Sequence, residues 1–241
     1  MKKILVTGGT GRFASELFKK YKNNKNYIFL SKQKLNILSS KSIKKNLTKY
    51  KPKIVIHLAA LSRPMSLHYK KMSKSISTNI IGTSNLVIEC SKLNIKLIYF
   101  STQFVYPGVK GNYYENSPLL PMNNYAWSKL GGECAVNMYK NSLILRVAMS
   151  EKPWKYNQVY KNLYSNYLYH DEVVKILPKL LNKKGIINIG SKYKSIVKFA
   201  KRTNKHVKIT KFKQPKNLPI VPIDSSMNIK KLKKILKNKI L

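Results

Sequence analysis

A glycine-rich segment stands between the first apolar run of the chain and its first helical pattern. The run Lys2–Thr7 predicts a short buried strand, and G8-G-T-G-R-F-A14 follows it directly. Strand, glycine turn and helix start, in this order, form the arrangement that binds dinucleotide phosphates in parallel α/β folds. Gly8 would make the tight turn, Gly11 would let backbone N–H groups approach a pyrophosphate, and Ala14 would keep helix and strand close. We therefore expect a dinucleotide site, with a plain glycine-rich turn as the alternative.

Apolar runs and helical patterns alternate along the first half of the chain. Further strands are predicted at Tyr27–Leu30, Lys53–Ala60 and Ile95–Ser101, and helices over Ser15–Tyr21, Ser39–Tyr50 and Ser66–Lys92. A βαβαβαβ order is typical of parallel strands joined by helical crossovers. The sequence therefore predicts the α/β class, with a Rossmann-type doubly wound parallel sheet.

The second predicted strand ends at Ser31-Lys32, the position that selects between NAD and NADP in such folds. An NAD-selective site has Asp or Glu there to bind the ribose hydroxyls. This chain has no acid between Glu16 and Glu89. A hydroxyl, a lysine and the nearby Arg12 favour a 2′-phosphate instead. We therefore expect NADP(H) to be preferred, with NAD(H) also possible.

Two further segments are expected beside the cofactor. Asn36 and Ile37 follow the second strand and would lie beside the adenine. Leu58, Ala59 and Ala60 end the third strand, and the two alanines would let the cofactor backbone pass close by.

A strand end and a helix start are predicted to bring three reactive side chains together. The fourth strand would deliver Ser101 and Thr102 to the sheet edge, and a helix over Ala126–Tyr139 would present Tyr125 and Lys129. Positions four apart share one helix face, with Cβ atoms about 5–6 Å apart. A hydroxyl, a phenol and an ammonium group can act as acid–base machinery on a carbonyl or an alcohol.

The spacing Tyr-x-x-x-Lys carries little information by itself. With 16 Tyr and 44 Lys in 241 residues, chance supplies about three such pairs. Three occur, at Tyr21/Lys25, Tyr106/Lys110 and Tyr125/Lys129. Tyr21 lies at the far end of its helix, and Pro107-Gly108 prevents a helix after Tyr106. Only Tyr125 opens a helix that follows a strand ending in Ser-Thr, so its context identifies it.

These segments together resemble an extended short-chain dehydrogenase/reductase of the dTDP-4-dehydrorhamnose reductase-like, sugar-nucleotide-binding family. The resemblance is carried by G8-G-T-G-R-F-A14, H57-L-A-A60, N79-I-I-G-T83, F100-S-T-Q-F-V-Y-P-G108, Y125-A-W-S-K129 and G132-E133. Later segments look like the family's fifth strand, docking helix, following strand and C-terminal segment, at Leu143–Val147, His170–Leu177, Ile186–Ser191 and Pro222–Leu232. The resemblance therefore covers nearly the whole chain.

The resemblance implies roles for individual residues. Thr102, Tyr125 and Lys129 would be catalytic. Tyr125 would give its proton to the substrate carbonyl oxygen as hydride arrives, and Thr102 would hydrogen-bond the same oxygen. Lys129 would hold the nicotinamide ribose and lower the pKa of the phenol. Phe13 and Phe100 belong to the matching motifs and would contribute to the cofactor site.

The sequence departs from the family pattern at two positions near the sugar. Gln103 follows the Ser-Thr pair, where the reductases usually have Asp, and Met149 stands where they usually have Trp. Both are expected to contact substrate. The segment 151–169 is short and rich in Tyr and Trp, which would either stack on a base or sugar or pack a small lobe.

The chain length suits one large α/β domain with a smaller lobe. We predict a dinucleotide-binding Rossmann domain over residues 1–149, and a small C-terminal substrate-binding lobe over 150–241. A helix near 171–182 would dock back on the first domain. The wider family also implies a possible homodimer.

The net charge of +40 suggests nucleic-acid binding at first, but the composition argues against a specific site. Only four of the 48 basic residues are arginine, the side chain favoured for bidentate phosphate and base recognition, and the lysines are scattered. The charge would instead attract anionic cofactors and sugar nucleotides. With eight acids in the chain, Glu115, Glu133, Asp171 and Asp224 are expected to be paired or capping.

Other classes of protein are disfavoured by the sequence. No apolar run approaches the roughly 20 residues of a membrane span, and the first apolar run is too short for a signal peptide. Cys90 and Cys134 have no metal or redox spacing, and the acids offer no metal-ligand pattern, so no metal is expected. A cytoplasmic protein is the resulting expectation.

The expected activity is NAD(P)H-dependent reduction of a nucleotide-activated 4-keto-6-deoxy sugar, serving surface-polysaccharide synthesis. One alternative is an NAD-dependent sugar-nucleotide epimerase or dehydratase, although Gln103 supplies no acid for elimination. Another is a non-catalytic, cofactor-binding regulatory subunit, which would not need the phenol of Tyr125.

Overall fold

A six-stranded parallel sheet lies at the centre of the structure. The computed structural model describes residues 2–192, 194–216 and 219–238. The strands of the sheet are β1 (Ile4–Thr7), β2 (Tyr27–Leu30), β3 (Ile54–His57), β4 (Lys96–Thr102), β5 (Ser142–Val147) and, later in the chain, β9 (Gly185–Ile189). Their order across the sheet is β2-β1-β3-β4-β5-β9. The order reverses between β1 and β3, and such a switch point is where ligands bind in open α/β sheets.

Helices connect the strands and close the chain. They are α1 (Arg12–Tyr21), α2 (Ser40–Tyr50), α3 (Leu67–Lys70), α4 (Met72–Ile76), α5 (Gly82–Lys92), α6 (Asn124–Asn137), α7 (His170–Ile176), α8 (Ile196–Lys201) and α9 (Lys230–Ile235). A π-helical turn at Ser77–Ile81 joins α4 to α5, and 3₁₀ turns lie at Gln103–Val105 and Leu177–Lys179.

Successive residues of each strand enter two different cores, one on each face of the sheet. In β4, Ile98 and Phe100 pack with α1, α7 and α9, whereas Leu97 and Tyr99 pack with α2, α5 and α6. The same alternation occurs in β1 and β5. Runs of consecutive apolar residues in the strands therefore produce a sheet that is covered on both faces, and the predicted doubly wound fold class is confirmed.

The stretch from Ser66 to Lys92, predicted as one helix, is divided into shorter pieces. The π-helical turn places Asn79, which is buried, towards the loop after β3. At Gly82 a Cβ atom would lie 2.7 Å from the Cδ1 atom of Ile37, so α5 passes very close to the segment after β2. These local contacts interrupt the regular helix that the sequence pattern suggested.

The C-terminal part of the chain adds two small parallel pairs and returns to the main sheet. β6 (Met149–Ser150) pairs with β8 (Leu168–Tyr169), and β7 (Gln158–Tyr160) pairs with β10 (Lys208–Thr210). α7, β9 and α9 contribute to the same core as β1 and β4. The division into two domains between residues 149 and 150 stays a prediction. Part of the chain after this boundary contributes a strand and helices to the central sheet and its core.

Two further features bear on the class of protein. No helix within the described ranges is both long and apolar enough to span a membrane. Cys90 is buried and Cys134 is exposed, and both are free thiols.

The adjacent glycines of α6 offer a direct test of how tightly this helix packs. A Cβ atom at Gly132 would lie 2.5 Å from the carbonyl oxygen of Asn79 and 2.7 Å from the hydroxyl of Tyr99. We predict that Gly132→Ala lowers the free energy of unfolding by about 1–3 kcal/mol, because backbone must move to admit the methyl group. Urea titration would measure the change.

Gly131→Ala is the matched control, since its methyl group would meet only the end of the Ile80 side chain. Gly131→Ala should lower the free energy of unfolding by less than Gly132→Ala does, or raise it by up to about 1 kcal/mol because alanine has the higher helix propensity. Equal effects of the two substitutions would contradict the close approach of α6 to Asn79.

Candidate active site

The glycine turn after β1 fits tightly against the end of β3. Gly8 has φ +64°, and a Cβ atom there would lie 2.7 Å from the backbone of Ala59. The hydroxyl of Thr7 accepts hydrogen bonds from the N–H groups of Leu58 and Ala59, at 3.3 and 3.2 Å. Gly11 then forms the N-terminal cap of α1. Only glycine fits at position 8 of this turn, which packs against Ala59 at the end of β3.

A cavity of about 960 Å³ opens above this turn. The predicted site residues in its wall are Gly11, Arg12, Phe13, Ala14, Leu58, Ala60, Phe100, Thr102, Gln103, Tyr125, Lys129 and Met149. Its size lies near the upper end of the range for small-molecule and cofactor sites. The remaining predicted residues are Gly8, Ser31, Lys32, Asn36, Ile37 and Ala59, which do not line it.

The residues after β2 lie away from the cavity wall. Ile37 is buried in the core that faces α2 and α5. Asn36 is occupied locally, since its side chain accepts a hydrogen bond from the N–H of Leu38. Ser31 is half-buried and Lys32 is exposed, at the end of β2. Their assignment to the adenosine end of a cofactor stays a prediction.

Thr102, Tyr125 and Lys129 are brought together in the cavity wall. Thr102 is buried at the end of β4, and its hydroxyl donates to the side-chain oxygen of Gln103 at 3.3 Å and lies close enough to Tyr125 to lower the pKa of the phenol. The side chain of Asn123 caps α6 by accepting the N–H of Ala126 at 3.0 Å, and so fixes where the helix begins. Tyr125 lies in the first turn and Lys129 one turn later, as the spacing predicted.

The pKa of Tyr125 is raised, mainly because the phenol is removed from water. The interaction with Thr102 and the positive charges of Arg63 and Arg12 lower the pKa and partly offset this effect. Lys129, to which the family resemblance assigns this positive charge, is not among the groups that lower the pKa of Tyr125. The net result is a phenol that is protonated at neutral pH.

Lys129 is buried beside an aromatic ring. Its Nζ atom lies 4.0 Å from the ring centroid of Tyr99, and the Tyr99 hydroxyl donates to the carbonyl of Lys129 at 3.0 Å. Burial lowers the pKa of Lys129 to about 7, while the charge of Glu133 opposes the shift. An ammonium group in this place is therefore costly unless an anion or several hydrogen-bond acceptors approach it.

A buried ion pair supports the reactive residues from beneath. The guanidinium of Arg146, on β5, donates to the carboxylate of Glu133 through Nε at 2.9 Å and through Nη2. The hydroxyl of Ser101 donates to the other oxygen of Glu133 at 2.7 Å. Glu133 follows Lys129 by one turn of α6, so one carboxylate joins α6 to β4 and β5.

The other expected acid contacts are also present. Glu115 accepts the N–H of Asn188 at 3.0 Å, and Asp224 accepts the N–H of Ser226 at 2.9 Å. Asp171 lies 3.7 Å from the Lys152 ammonium. The expectation that these acids and Glu133 are paired or capping is confirmed.

Several supporting residues were not predicted as part of the site. Arg63 lines the cavity after β3, and the buried ring of His68 lies edge-on to Tyr125 with centroids 5.2 Å apart. The side chain of Asn79 donates to the Leu61 carbonyl and to the hydroxyl of Ser128, each at 2.8 Å. Glu133 could have been found from its i,i+4 spacing to Lys129, whereas the others depend on tertiary folding.

The aromatic residues of the segment 151–169 divide between the two expected roles. Tyr156, Tyr160 and Tyr167 line the cavity. Trp154 instead packs into a small separate core, edge-on to Phe199. Among the described residues, no group of three or more His, Cys, Asp or Glu side chains could hold a metal ion.

Comparison with known proteins identifies a family model and several curated relatives. The model of the RmlD substrate binding domain matches residues 1–172. Methionine adenosyltransferase 2 subunit beta of Xenopus tropicalis is 30% identical over 155 residues, which covers 61% of this chain and 46% of the relative. The spore coat polysaccharide biosynthesis protein SpsK of Bacillus subtilis is 32% identical over 152 residues, covering 61% and 53%.

A further curated relative is named as a dehydratase. The dTDP-D-glucose 4,6-dehydratase of Dictyostelium discoideum is 31% identical over 220 residues, which covers 76% of this chain and 48% of the relative. The chain therefore spans about half the length of these curated relatives.

Solved structures share the fold over the whole chain. The dTDP-4-dehydrorhamnose reductase of Bacillus anthracis, solved with NADP, has a TM-score of 0.85 at 20% identity and covers 100% of this chain and 92% of its own. The Bordetella bronchiseptica enzyme WbmG, solved with NAD and UDP, has a TM-score of 0.78 at 17% identity and covers 100% and 89%. At these identities the similarity shows the fold alone.

We predict that Glu133→Gln lowers the free energy of unfolding by about 3–5 kcal/mol, because the buried guanidinium of Arg146 loses its carboxylate partner. Glu89→Gln is the control, since Glu89 is also buried but pairs with the exposed Lys92. Glu89→Gln should lower the free energy of unfolding by less than about 1 kcal/mol. Denaturant unfolding of the two variants would measure the difference, and similar losses would contradict a special role for the Arg146 pair.

The lowered pKa of Lys129 predicts a pH-dependent stability. Between pH 7 and the ordinary lysine pKa of 10.5, the unfolded chain binds a proton that the folded chain lacks, so stability rises with pH over this range. Lys129→Met should therefore be more stable than the wild type near pH 6. Its advantage should shrink above pH 7, by up to about 1.4 kcal/mol per pH unit.

Denaturant unfolding at a series of pH values would test this prediction. Lys44→Met, on the exposed side of α2, is the control and should show no comparable trend. If the difference in free energy of unfolding between the wild type and Lys129→Met is the same at every pH, the lowered pKa of Lys129 is rejected.

Proposed function

The chain belongs to the RmlD substrate-binding-domain family, and on that premise we propose that it is an NAD(P)H-dependent reductase of a nucleotide-activated 4-keto-6-deoxy sugar. The observation that carries the proposal is the cavity wall that holds the phenol of Tyr125 together with Thr102 and Lys129. A carbonyl oxygen placed against Tyr125 and Thr102 would meet a proton donor and a second hydroxyl. That is what carbonyl reduction requires.

Tyr125 would act as the general acid. Burial raises the pKa of its phenol, so the proton is present at neutral pH and is available to the substrate oxygen. The hydroxyl of Thr102 would hydrogen-bond the same oxygen as negative charge develops on it. The charges of Arg12 and Arg63 lower the pKa of Tyr125 and would stabilise the phenolate that is left after transfer.

The glycine turn and the adjacent cavity fit a nicotinamide dinucleotide. Gly8 leaves no room for a Cβ atom, and Ala14 packs α1 against the sheet, so backbone can approach a diphosphate closely. A reduced nicotinamide, when bound, would supply the hydride. Lys129 would donate to the ribose hydroxyls and would be held as a cation by those acceptors and by Glu133.

We favour NADP(H) over NAD(H) because Ser31 and Lys32 end β2 without an acid. The guanidinium of Arg12 gives this preference no support. It lies 3.2 Å from the hydroxyl of Ser62, which follows β3, and 3.5 Å from the carboxylate of Glu151, which follows β6. One structurally similar protein was solved with NADP and another with NAD.

A nucleotide sugar is the proposed substrate class. The cavity extends past Tyr125 to Tyr156, Tyr160 and Tyr167, whose rings could stack on a base or a sugar. The name of SpsK refers to polysaccharide biosynthesis, which fits a role in making surface sugars. Gln103, beside Thr102, and Met149 lie in the wall and would determine which keto sugar is accepted.

A sugar-nucleotide dehydratase or epimerase is a weaker candidate, although one curated relative is named as a dehydratase. Elimination needs an acid–base group beside the threonine, and Gln103 is neutral. Glu151 is the one acid among the described residues of the cavity wall, and it is occupied by basic side chains.

A non-catalytic, cofactor-binding regulatory subunit is the second candidate, favoured by the match to methionine adenosyltransferase 2 subunit beta. The complete set of Thr102, Tyr125 and Lys129 argues against it, because binding alone needs no proton donor. A cytoplasmic location, a homodimer and the lack of a specific nucleic-acid partner belong to the proposal as expectations from the family and the composition.

We expect the purified protein to oxidise NADPH when given dTDP-4-keto-6-deoxy sugars, and to use NADH less efficiently. Tyr125→Phe should lower kcat by about 10²–10⁴-fold while leaving NADPH binding nearly intact, because it removes only the proton donor. Tyr21→Phe is a matched control, since Tyr21 begins another Tyr-x-x-x-Lys sequence outside the cavity wall. Nicotinamide absorbance would follow turnover.

Three outcomes would overturn parts of the proposal. NADPH binding without turnover of any nucleotide keto sugar would favour the regulatory subunit. Full activity of Tyr125→Phe would exclude this residue as the acid. Equal use of NADH would reject the cofactor preference.

A further inference from the structure

A carboxylate lies between two arginines in the cavity wall. The Oε2 atom of Glu151, just after β6, is 3.5 Å from Nη1 of Arg12 and 3.8 Å from Nη1 of Arg63. Arg12 is the first residue of α1, and Arg63 follows β3. The other oxygen of Glu151 accepts from Lys155 at 2.9 Å. Three chain segments therefore meet at one carboxylate, next to the glycine turn.

The surroundings make this carboxylate unusual. Arg12, Arg63, Lys129 and two lysines of the 211–213 segment line the cavity, and Glu151 is the one acid among the described residues of its wall. Glu151 is ionised, since the nearby Lys155 and Arg12 hold the pKa of its carboxyl below the ordinary value. A cavity lined by several basic side chains thus also contains one carboxylate.

The position of Arg12 and Arg63 suits the diphosphate of a dinucleotide. Arg12 directly follows Gly11, whose backbone caps α1, and helix N-termini favour anions. Arginine also binds phosphate oxygens in a bidentate manner. Arg63 lies against the ring of Tyr156, with its guanidinium carbon 5.9 Å from the ring centroid, which orients the group.

We propose that Glu151 is an internal anion that competes with the dinucleotide diphosphate for Arg12 and Arg63, and so lowers the affinity of the site for its cofactor. The inference rests on the dinucleotide site of the proposed function and adds a residue that tunes it. When the diphosphate enters, the Glu151 side chain leaves the two arginines and stays paired with Lys155. No covalent step is involved.

Coulomb energies favour competition over shared binding. Two like charges about 4 Å apart repel each other, and a protein surface screens this repulsion less than bulk water does. A diphosphate and Glu151 on the same guanidinium would experience this repulsion. Lys155 offers the carboxylate a second partner whose side chain is largely exposed.

A purely structural role for Glu151 is the opposing interpretation. Arg12 and Arg63 are 45% and 44% exposed, and ion pairs of this kind add little to stability. Arg12 is also held by the Ser62 hydroxyl, independently of Glu151. Removing the carboxylate should therefore leave the fold and the arginines in place.

Calorimetric titration with NADPH and with ADP-ribose tests the proposal, since both ligands carry the diphosphate and ADP-ribose lacks nicotinamide. Glu151→Gln should lower Kd for both ligands by about three- to tenfold, the equivalent of one or two exposed ion pairs. Glu16→Gln is the matched control. It changes the net charge equally but removes an acid that pairs with Lys19 on α1, and it should leave Kd unchanged.

A double-mutant cycle separates competition from a general charge effect. Arg63→Met should weaken ADP-ribose binding. In that background Glu151→Gln should lower Kd for ADP-ribose by a smaller factor than it does in the wild type. Thermal unfolding should be nearly the same for Glu151→Gln and the wild type. An unchanged or higher Kd for Glu151→Gln, or an equal gain in both backgrounds, would overturn the proposal.

The outcomes also separate this inference from the proposed function. Tight dinucleotide binding without turnover would reject the reductase and leave the inference standing. If Glu151→Gln binds NADPH and ADP-ribose no more tightly than the wild type does, and the wild type reduces nucleotide keto sugars, only the inference is rejected. A wild type that binds neither NADPH nor ADP-ribose would reject both.

Discussion

The ion pair between Glu133 and Arg146 determines how α6 sits on the sheet. Both side chains are almost fully buried, and each makes further contacts, Glu133 with Ser101 and Arg146 with the Tyr106 hydroxyl. Removing two charges from water costs several kcal/mol each, which good geometry and extra hydrogen bonds must offset. The pair fixes the register between α6 and β4, and so the placement of Tyr125 relative to Thr102.

The network extends from this pair to the far end of the chain. The Tyr106 hydroxyl donates to Asn188 on β9, and the side chain of Asn188 donates to the carbonyls of Tyr113 and Asn228. The arm between β4 and α6 is thereby tied to the last strand of the central sheet and to the C-terminal segment. Of the eight acids in the chain, Glu133 forms the buried pair with Arg146, and Glu151 lies beside Arg12 in the cavity wall. We expect the excess positive charge to attract anionic ligands.

The proposed function is argued more firmly for the type of chemistry than for the substrate. A phenol, a hydroxyl and an amine in one wall would suit proton transfer to an oxygen, whatever molecule carries that oxygen. Substrate choice depends on shape and on neutral contacts such as those of Gln103 and Met149, which differ from the usual residues of the resembling family. Relatives named as a methionine adenosyltransferase subunit and as a dTDP-D-glucose 4,6-dehydratase illustrate that one fold carries several functions.

The sequence by itself predicted the fold class, the glycine turn and the grouping of Thr102, Tyr125 and Lys129. Glycine position and i,i+4 spacing are local patterns with a limited choice of backbone conformations, and the order of the elements along the chain distinguished Tyr125/Lys129 from two equally spaced pairs. The tertiary structure decided which charges meet. Arg12 lies towards Glu151 rather than towards Ser31 and Lys32, and Arg63 rather than Lys129 lowers the pKa of Tyr125. Contacts of this kind join residues more than fifty positions apart, because electrostatic partners are set by folded distance and burial, and neither can be read from the order of residues.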